Sequence, residues 1–442
     1  MSAPTLERPA LTVRGHWIDD WRPEDPEFWA NGGAAIARRN LAYSIFAEHI
    51  GFSVWTMWSV LVLFLGPEYG IDPAGKFLLT AVPALVGSVL RIPYTFAVAR
   101  FGGRNWTIIS AALLLVPAVL AAFLIEPGVS YGTLLALAAV AGVGGGNFAS
   151  SMANINYFYP DRLKGWALGI NAGGGNLGVA AVQLVGLVVL FVFGAGHPGI
   201  VAGVYIPLIV VAAVGAALSM DNLTQARAAR RGMRDAAREP HTWIMSLLYI
   251  GTFGSFIGFG FAFGQVLQVQ FRDVFSTPAE AAYLTFLGPL LGSLVRPVGG
   301  ALADRLGGAR VTAWTFAALA AGAGIVLLAS RQHSLSLYLA GFVTLFVVSG
   351  IGNGSTYKMI PRIFALKHPE HEQEARRLSG AVIGIAGAIG AFGGVLVNLA
   401  FRQSFLEYGS ADAAYLAFIA FYAVGLLVTW AVYLRRPAGT VP

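Results

Sequence analysis

Two arginines end near-copies of one apolar stretch. Arg91 closes L-V-G-S-V-L-R at 85–91, and Arg296 closes L-L-G-S-L-V-R at 290–296. Nine residues further on, each is followed by a second arginine set among glycines, in R-F-G-G-R (100–104) and R-L-G-G-A-R (305–310). Nine residues of helix rise roughly 13 Å, close to half of a ~30 Å hydrocarbon core. A long side chain at an interface reaches water along its own stem, but this depth exceeds that reach. A charge at mid-depth costs at least ~2.5–3.5 kcal/mol on insertion scales, so it faces a cavity and marks a substrate path.

Such cations need a negative partner, and the apolar runs offer almost none. Glu48, in A-E-H-I-G-F, is the one clear embedded carboxylate, and it is expected near the cytoplasmic end of the first span. Two guanidiniums without acids call for an anion from solution. Arginine is always charged and presents a planar fork of donors, which suits a small planar oxyanion taken bidentate. Other polar groups lie in the glycine-rich run G-G-G-N-F-A-S-S-M-A-N-I-N-Y-F-Y-P (144–160) and in A-L-G-I-N-A-G-G-G-N-L-G-V (167–179). Glycines in apolar spans chiefly serve close helix packing. That does not account for Asn147, Asn154, Asn171 and Asn176, since buried amides require partners. They are interhelical bonds or donors to an anion. Tyr249 and Phe253 are four apart, hence on one helix face. Such a stripe is more often packing than a site wall.

The elements carrying these residues are membrane helices. Of the 442 residues, 56% are hydrophobic and 12% charged, against about 25% charged in soluble proteins. Apolar runs long enough to cross a bilayer fall at 41–65, 75–99, 105–125, 131–158, 166–194, 199–219, 243–270, 280–303, 311–330, 335–362, 379–401 and 412–434. A soluble α/β chain would separate its apolar runs with polar helices, and none appear. The polar first 40 residues lack the apolar core of a signal peptide. Arginine and lysine collect in alternate loops, with Arg100 and Arg104, Arg162 and Lys164, Arg227, Arg230 and Arg231, Arg305 and Arg310, Arg362 and Arg376 on one side. The positive-inside rule makes that side, and both termini, cytoplasmic. This distribution explains the net charge of +7 without nucleic acid. Cysteine is absent, so there is no disulfide or thiolate metal site.

The chain repeats itself. Arg91 and Arg296 are 205 positions apart, and Gly144-Gly-Gly146-Asn147 matches Gly350-Ile-Gly352-Asn353 at an offset of 206. The organisation expected is a cytoplasmic tail at 1–40, a six-helix half at 41–219, a linker at 220–241, a second half at 242–434 and a tail at 435–442. Parallel six-helix halves are a transporter architecture with the site at their interface. The fold class is thus an all-α membrane protein of about twelve helices in two pseudo-symmetric halves.

Three stretches carry a family likeness. G-G-N-F-A-S-S-M-A-N-I, the aromatic-Pro end of the fourth span and A-L-G-I-N-A-G-G-G-N-L-G-V closely resemble the signature of the nitrate/nitrite porters. That family lies within the major facilitator superfamily, whose loop motif G-A-L-A-D-R-L-G-G-A-R (300–310) resembles. G-N-G-S-T at 352–356 and A-G-A-I-G-A-F-G-G at 386–394 add to it. The first-half loop departs from the superfamily pattern, with Ala99 where Asp304 stands. The resemblance implies that Arg91 and Arg296 bind the anion, and that Phe148 and Phe253 sandwich it. Tyr249 and Asn176, with Asn171 as a further candidate, would donate hydrogen bonds. Gly169, Gly173 and Gly175, with Gly387 and Gly390, would let two glycine-rich helices slide during gating. Lys358 is a candidate for an exit-path contact.

The function expected is nitrate/nitrite exchange by alternating access in the inner membrane. Its partners are those two anions and the bilayer, and the working unit expected is a monomer. Two facing guanidiniums disfavour reorientation of an empty carrier, which favours exchange. Proton-coupled nitrate symport, with the proton on Glu48 or His49, is the alternative. An anion channel is disfavoured by the two-half repeat, and a non-transporting sensor by the lack of an added soluble domain. An enzyme is not expected. No nucleophile elbow, paired carboxylate or metal spacing occurs, and neither cofactor nor metal is called for.

Overall fold

In a computed structural model of the protein, residues 13–226, 232–275 and 277–435 are described. Arg227, Arg230 and Arg231 of the basic central loop, the ends of both expected tails and the side chain of Arg376 lie outside them. Among the described residues, twelve helices are long and apolar enough to cross a membrane. They are α1 (Pro26–Phe64), α2 (Pro73–Phe101), α3 (Gly103–Leu124), α4 (Tyr131–Phe158), α5 (Asp161–Phe193), α6 (Pro198–Ser219), α7 (Pro240–Gln270), α8 (Pro278–Leu306), α9 (Gly308–Arg331), α10 (Leu335–Lys367), α11 (Arg377–Tyr408) and α12 (Asp412–Leu434).

Local signals set the helix ends. Asp72 caps α2 by accepting from the Gly75 amide, with Pro73 in the first turn. Thr277 and Glu280 form a reciprocal capping box at α8. Gly102 and Gly307 end α2 and α8 at φ of 90° and 89°, a backbone that only glycine adopts without strain. These are the repeat-related glycines of the two arginine loops. The first helical segment starts well ahead of the apolar run expected at 41 and is kinked at Asn31 and Gly32 before the regular helix begins at Ala34. The Asp25 carboxylate accepts from the amides of Glu27 and Phe28, and Pro26 opens the turn, so polar sequence is helical as well.

The outer surface is apolar, and the largely apolar interior also buries a set of amides. Phe123, Phe191 and Leu218 are more than 70% exposed on the lipid-facing surface, whereas Asn147, Asn171, Asn176, Asn353 and Asn398 are buried. One departure from an all-α chain stands at the end that carries the termini. There β1 (Val13–Arg14) pairs antiparallel with β2 (Trp17–Ile18), which runs parallel to β3 (Asn222–Leu223) just after α6. Arg39 holds Asp221 at 2.6 Å beside this sheet. Trp21 is buried with its ring edge-on to Phe28 and Phe158.

The two ends of the bundle differ. At the far end the halves are tied together. Thr80 on α2 donates to Asn398 Oδ1 on α11 at 2.8 Å, and Gln265 on α7 donates to the Pro73 carbonyl at 2.6 Å. Phe77 stacks on Phe401 and Phe405. At the terminal end a cavity of about 630 Å³ separates α2 and α4 from α11, lined by Thr95, Ala99, Asn156 and Tyr157 on one side and Arg377 and Gly380 on the other. Tyr159, between α4 and α5, also lines it. Burial pushes its phenol up to about 12, against the opposing pull of Arg38, so it stays neutral at physiological pH.

Candidate anion site

Arg91 and Arg296 come from matching places on α2 and α8, Arg91 two residues before Pro93 and Arg296 directly before Pro297. Both are buried, at 0% and 3% exposure. Among the described residues neither guanidinium forms an ion pair. Arg91 Nε donates to the Gly145 carbonyl at 3.0 Å and its Nη1 to the Gly387 carbonyl at 2.8 Å. Arg296 Nη2 donates to the Tyr249 hydroxyl at 3.1 Å. That leaves Arg91 Nη2 and Arg296 Nη1 buried without a partner. Backbone carbonyls and a phenol occupy part of each fork, and Arg91 Nη2 and Arg296 Nη1 stay open for a guest.

The local helix geometry explains this placement. In α4 a tight 3-10 stretch, Gly142–Gly146, precedes Phe148 and passes so close to α2 that a Cβ on Gly145 would sit 2.6 Å from the Gly87 Cα. That approach brings the Gly145 carbonyl to Arg91. In α7 a wide π-helical turn, Ile250–Gly254, follows Tyr249. Turns of this kind often mark functional sites. It sets the Tyr249 and Phe253 rings parallel, 5.2 Å apart and 9° from coplanar.

Rings enclose both cations. Phe148 and Phe253 face each other at 6.0 Å and 23°. Arg91 lies 4.6 Å from the Phe148 centroid and 4.8 Å from that of Phe253. Arg296 lies 5.7 and 6.0 Å from the same two rings. The ring faces carry the negative end of the quadrupole and stabilise unpaired cations. They keep two guanidiniums tolerable in a dry site without cancelling their charge.

The other candidates divide. Asn176 is fully buried, and neither amide atom has a partner. Asn171 is not free for a guest: its Nδ2 donates to Glu48 Oε2 at 2.8 Å and to Ser151 at 2.7 Å. Glu48 itself is corrected. Glu48 lies in the middle of the helical run Ala34–Thr56 rather than near its end, wholly buried and within electrostatic range of both arginines. Its Oε1 has no partner. Gly175 makes room for it, since a Cβ there would lie 2.2 Å from Oε1. Gly390 similarly admits Tyr249, whose ring would be 2.3 Å from an added Cβ. Gly387 supplies its carbonyl to Arg91. Around Gly169 nothing lies within 4 Å, and Gly173 meets only the Ser293 carbonyl at 3.8 Å. Lys358 stands 2.6 Å from both Asp304 carboxylate oxygens, and its Nζ is 3.3 Å from where a Cβ on Gly165 would lie.

Sequence reasoning misses two participants. Trp55 on α1 places its ring 5.2 Å from Arg91. Tyr357 on α10 places its ring 5.6 Å from Arg296 and contacts Phe148 and Tyr249. Its one available signal is its place beside G-N-G-S-T, a single residue before Lys358. Tyr357, Phe148 and Gly387 line a neck of about 30 Å³ that also includes Thr95 and Asn156. Those two residues also line the large cavity.

Known proteins share both sequence and architecture with this chain. The sequence model of the Major Facilitator Superfamily matches residues 49–398. The nitrate/nitrite transporter NarU of Escherichia coli is 38% identical, with 95% of this chain and 96% of NarU aligned. The probable nitrate/nitrite antiporter NarK2 of Thermus thermophilus is 35% identical, with 97% and 98% aligned. The partially occluded inward-open structure of the E. coli xylose transporter XylE superposes with a TM-score of 0.64 over 91% of this chain and 98% of its own, at 11% identity, a likeness of fold alone. The match to the superfamily model and the near-full-length relatives place the chain in the nitrate/nitrite porter family of the major facilitator superfamily.

Proposed function

We propose that the protein carries nitrate and nitrite across the inner membrane by alternating access, holding the anion between Arg91 and Arg296. One observation carries the reading. Two buried guanidiniums, one from each half, each keep an unpartnered nitrogen beside a common pair of aromatic rings. A flat anion between two rings needs roughly 7 Å, two van der Waals contacts of ~3.5 Å. The clamp of Phe148 and Phe253 therefore parts slightly on loading. Asn176 donates a further hydrogen bond. The halves 41–219 and 242–434, joined by the linker 220–241, rock about this point. Gly169, Gly173, Gly175, Gly387 and Gly390 relieve the helices that slide.

Orientation follows from the basic loops: the termini and the hollow end are cytoplasmic, which makes this conformation inward-facing. Lys358 and Asp304 then stand on the exit side. The charge of the site favours exchange. Without an anion, two cations face a dry gap, and the empty carrier reorients slowly. The carrier is read as a monomer, since both halves of the site belong to one chain.

Glu48 supports a second reading, proton-coupled nitrate symport. With Glu48 ionised, the empty site carries one net positive charge. With nitrate bound and a proton on Glu48 Oε1, it again carries one. Both forms could then reorient equally well. Uptake of labelled nitrite into proteoliposomes separates the two readings. Exchange requires nitrate or nitrite inside, and symport proceeds with an inert anion inside and quickens when the outside is made acid. Failure of both in active, oriented vesicles would overturn the transport reading.

A further inference from the structure

The outer half of α7 is held by the first half of the chain from two sides. Gln183 on α5 donates from Nε2 to the Gly260 carbonyl on α7 at 2.9 Å. Further along α7, Gln265 donates to the Pro73 carbonyl on α2 at 2.6 Å. The two bonds are reciprocal, since each half supplies one side-chain amide and one backbone acceptor. Both glutamines are buried, at 2% and 1% exposure, and the Oε1 of each has no partner. A bare amide oxygen in the interior is costly. An apolar side chain would avoid that cost, so stability alone does not explain glutamine at either place.

Their position links them to the anion site. Gln183 stands seven residues outward of Asn176 on α5, and Gly260 seven outward of Phe253 on α7. Both therefore lie roughly 10 Å of helix beyond the site. Trp55 fills the layer between. The ring of Phe261, next to Gly260, meets Trp55 edge-on at 5.7 Å, and Trp55 lies 5.2 Å from Arg91. The indole N–H donates to the Pro83 carbonyl at 2.7 Å, which fixes Trp55 within the first half. Gly260 permits the close approach of α5, because a Cβ there would lie 3.2 Å from Val179 Cγ1.

We infer that Gln183 and Gln265 form a reciprocal clasp that sets the balance between the two openings of the carrier. While both bonds stand, Phe261 rests on Trp55 and the anion site is shut from the outside. Opening the outer end breaks both. Gln183 is thus a positioning residue, acting through α7 and not by touching the anion. This rests on the proposed alternating access and assigns the side chains that bias it.

The test is the distance between spin labels at Glu126→Cys and Gln332→Cys, on exposed outer loops of the two halves, in a chain that has no native cysteine. Gln183→Leu should raise the ratio of outward-open to inward-open protein roughly three- to tenfold, the effect of one buried hydrogen bond. Gln265→Leu should act in the same direction, and the double variant further. Tyr422→Phe is the comparator. It removes a buried bond to Ser255 inside the second half, so it should lower the unfolding temperature without moving the labels. If Gln183→Leu folds poorly, Gln183→Asn keeps the amide but is one methylene too short for Gly260, and the same shift is expected. Unchanged distances in the folded glutamine variants, with Asn398→Leu still opening the outer end, would overturn the clasp and leave alternating access standing. If no variant and no anion moves the labels, the proposed function itself fails.

Discussion

Arg91 on α2 donates from Nη1 to the Gly387 carbonyl on α11 at 2.8 Å, so the cation of the first half is anchored on the backbone of the second. The residue proposed to bind the anion therefore also reports the relative position of the halves. Arg296 has a different anchor, the Tyr249 hydroxyl within its own half. The two arginines are symmetric in sequence and asymmetric in attachment.

Lysine at either position tests both roles. A lysine keeps the charge but loses the fork. Arg91→Lys loses bonds to both Gly145 and Gly387, and Arg296→Lys loses the one to Tyr249. Each should lower anion affinity at least about a hundredfold. Only Arg91→Lys should also change the balance between the two conformations, read by spin-label distances across the halves. An identical distance distribution in both variants would refute the anchoring role.

Glycines at the site differ in what they permit. Gly390→Ala drives a Cβ into the Tyr249 ring and should cost about 1–3 kcal/mol of stability, seen as a lower unfolding temperature together with weak binding. Gly169→Ala meets no neighbour here, so this conformation should fold and bind as before. Transport should still slow markedly, because a moving α5 needs the space in the opposite state. Wild-type uptake by Gly169→Ala would remove Gly169 from the gating set.

Glu48 and Gly175 form a pair that a double-mutant cycle can read. Gly175→Ala alone collides with the carboxyl. Adding Glu48→Ala should relieve the clash, giving a coupling of about 1–3 kcal/mol in stability. Additive losses would mean that Gly175 serves another contact. Glu48→Gln separates the transport readings. Exchange should persist with its amplitude little changed, and any stimulation by outside acid should vanish.

The absence of cysteine gives a clean background for accessibility. Asn156→Cys, in the cavity wall, should react with a membrane-impermeant maleimide from the cytoplasmic face. Saturating nitrate should alter its rate. Adding Asn398→Leu removes the acceptor of Thr80 at the far end and should bias the carrier to the opposite opening, lowering that labelling several-fold. Labelling from the outer face instead would reverse the orientation assigned from the basic loops.

Some of this architecture is legible in the sequence and some is not. The two arginines stand out because a charge deep in an apolar run has few tolerable explanations. The twelve helices follow because membrane spans announce themselves by length and composition. The partial occupation of each arginine fork is hidden, since the partners are carbonyls and a backbone carbonyl has no residue type. Tyr357 is hidden for the opposite reason: tyrosine is common in such helices, and only its unpartnered hydroxyl singles it out. The depth of Glu48 shows only in its partners, since the bond from Asn171 that fixes it comes from another helix. Strands of two residues, as in β2 and β3, are too short to show a period.

That small sheet has a consequence for how the protein is made. β2 near the start of the chain pairs with β3, which emerges only after six helices have been synthesised. The Asn222 amide then bonds the His16 carbonyl at 2.7 Å, and Gln225 reaches the Trp21 carbonyl. Before that point the segment can already meet the α4–α5 corner, where Trp21 lies against Phe158 and Glu24 accepts from the Asp161 amide. Once α6 is in place, the first six helices become a closed ring of chain, latched at the end that carries the described N-terminal segment before the second six arrive. The latch makes the early half a finished assembly unit, and later helices dock onto it rather than thread among its members.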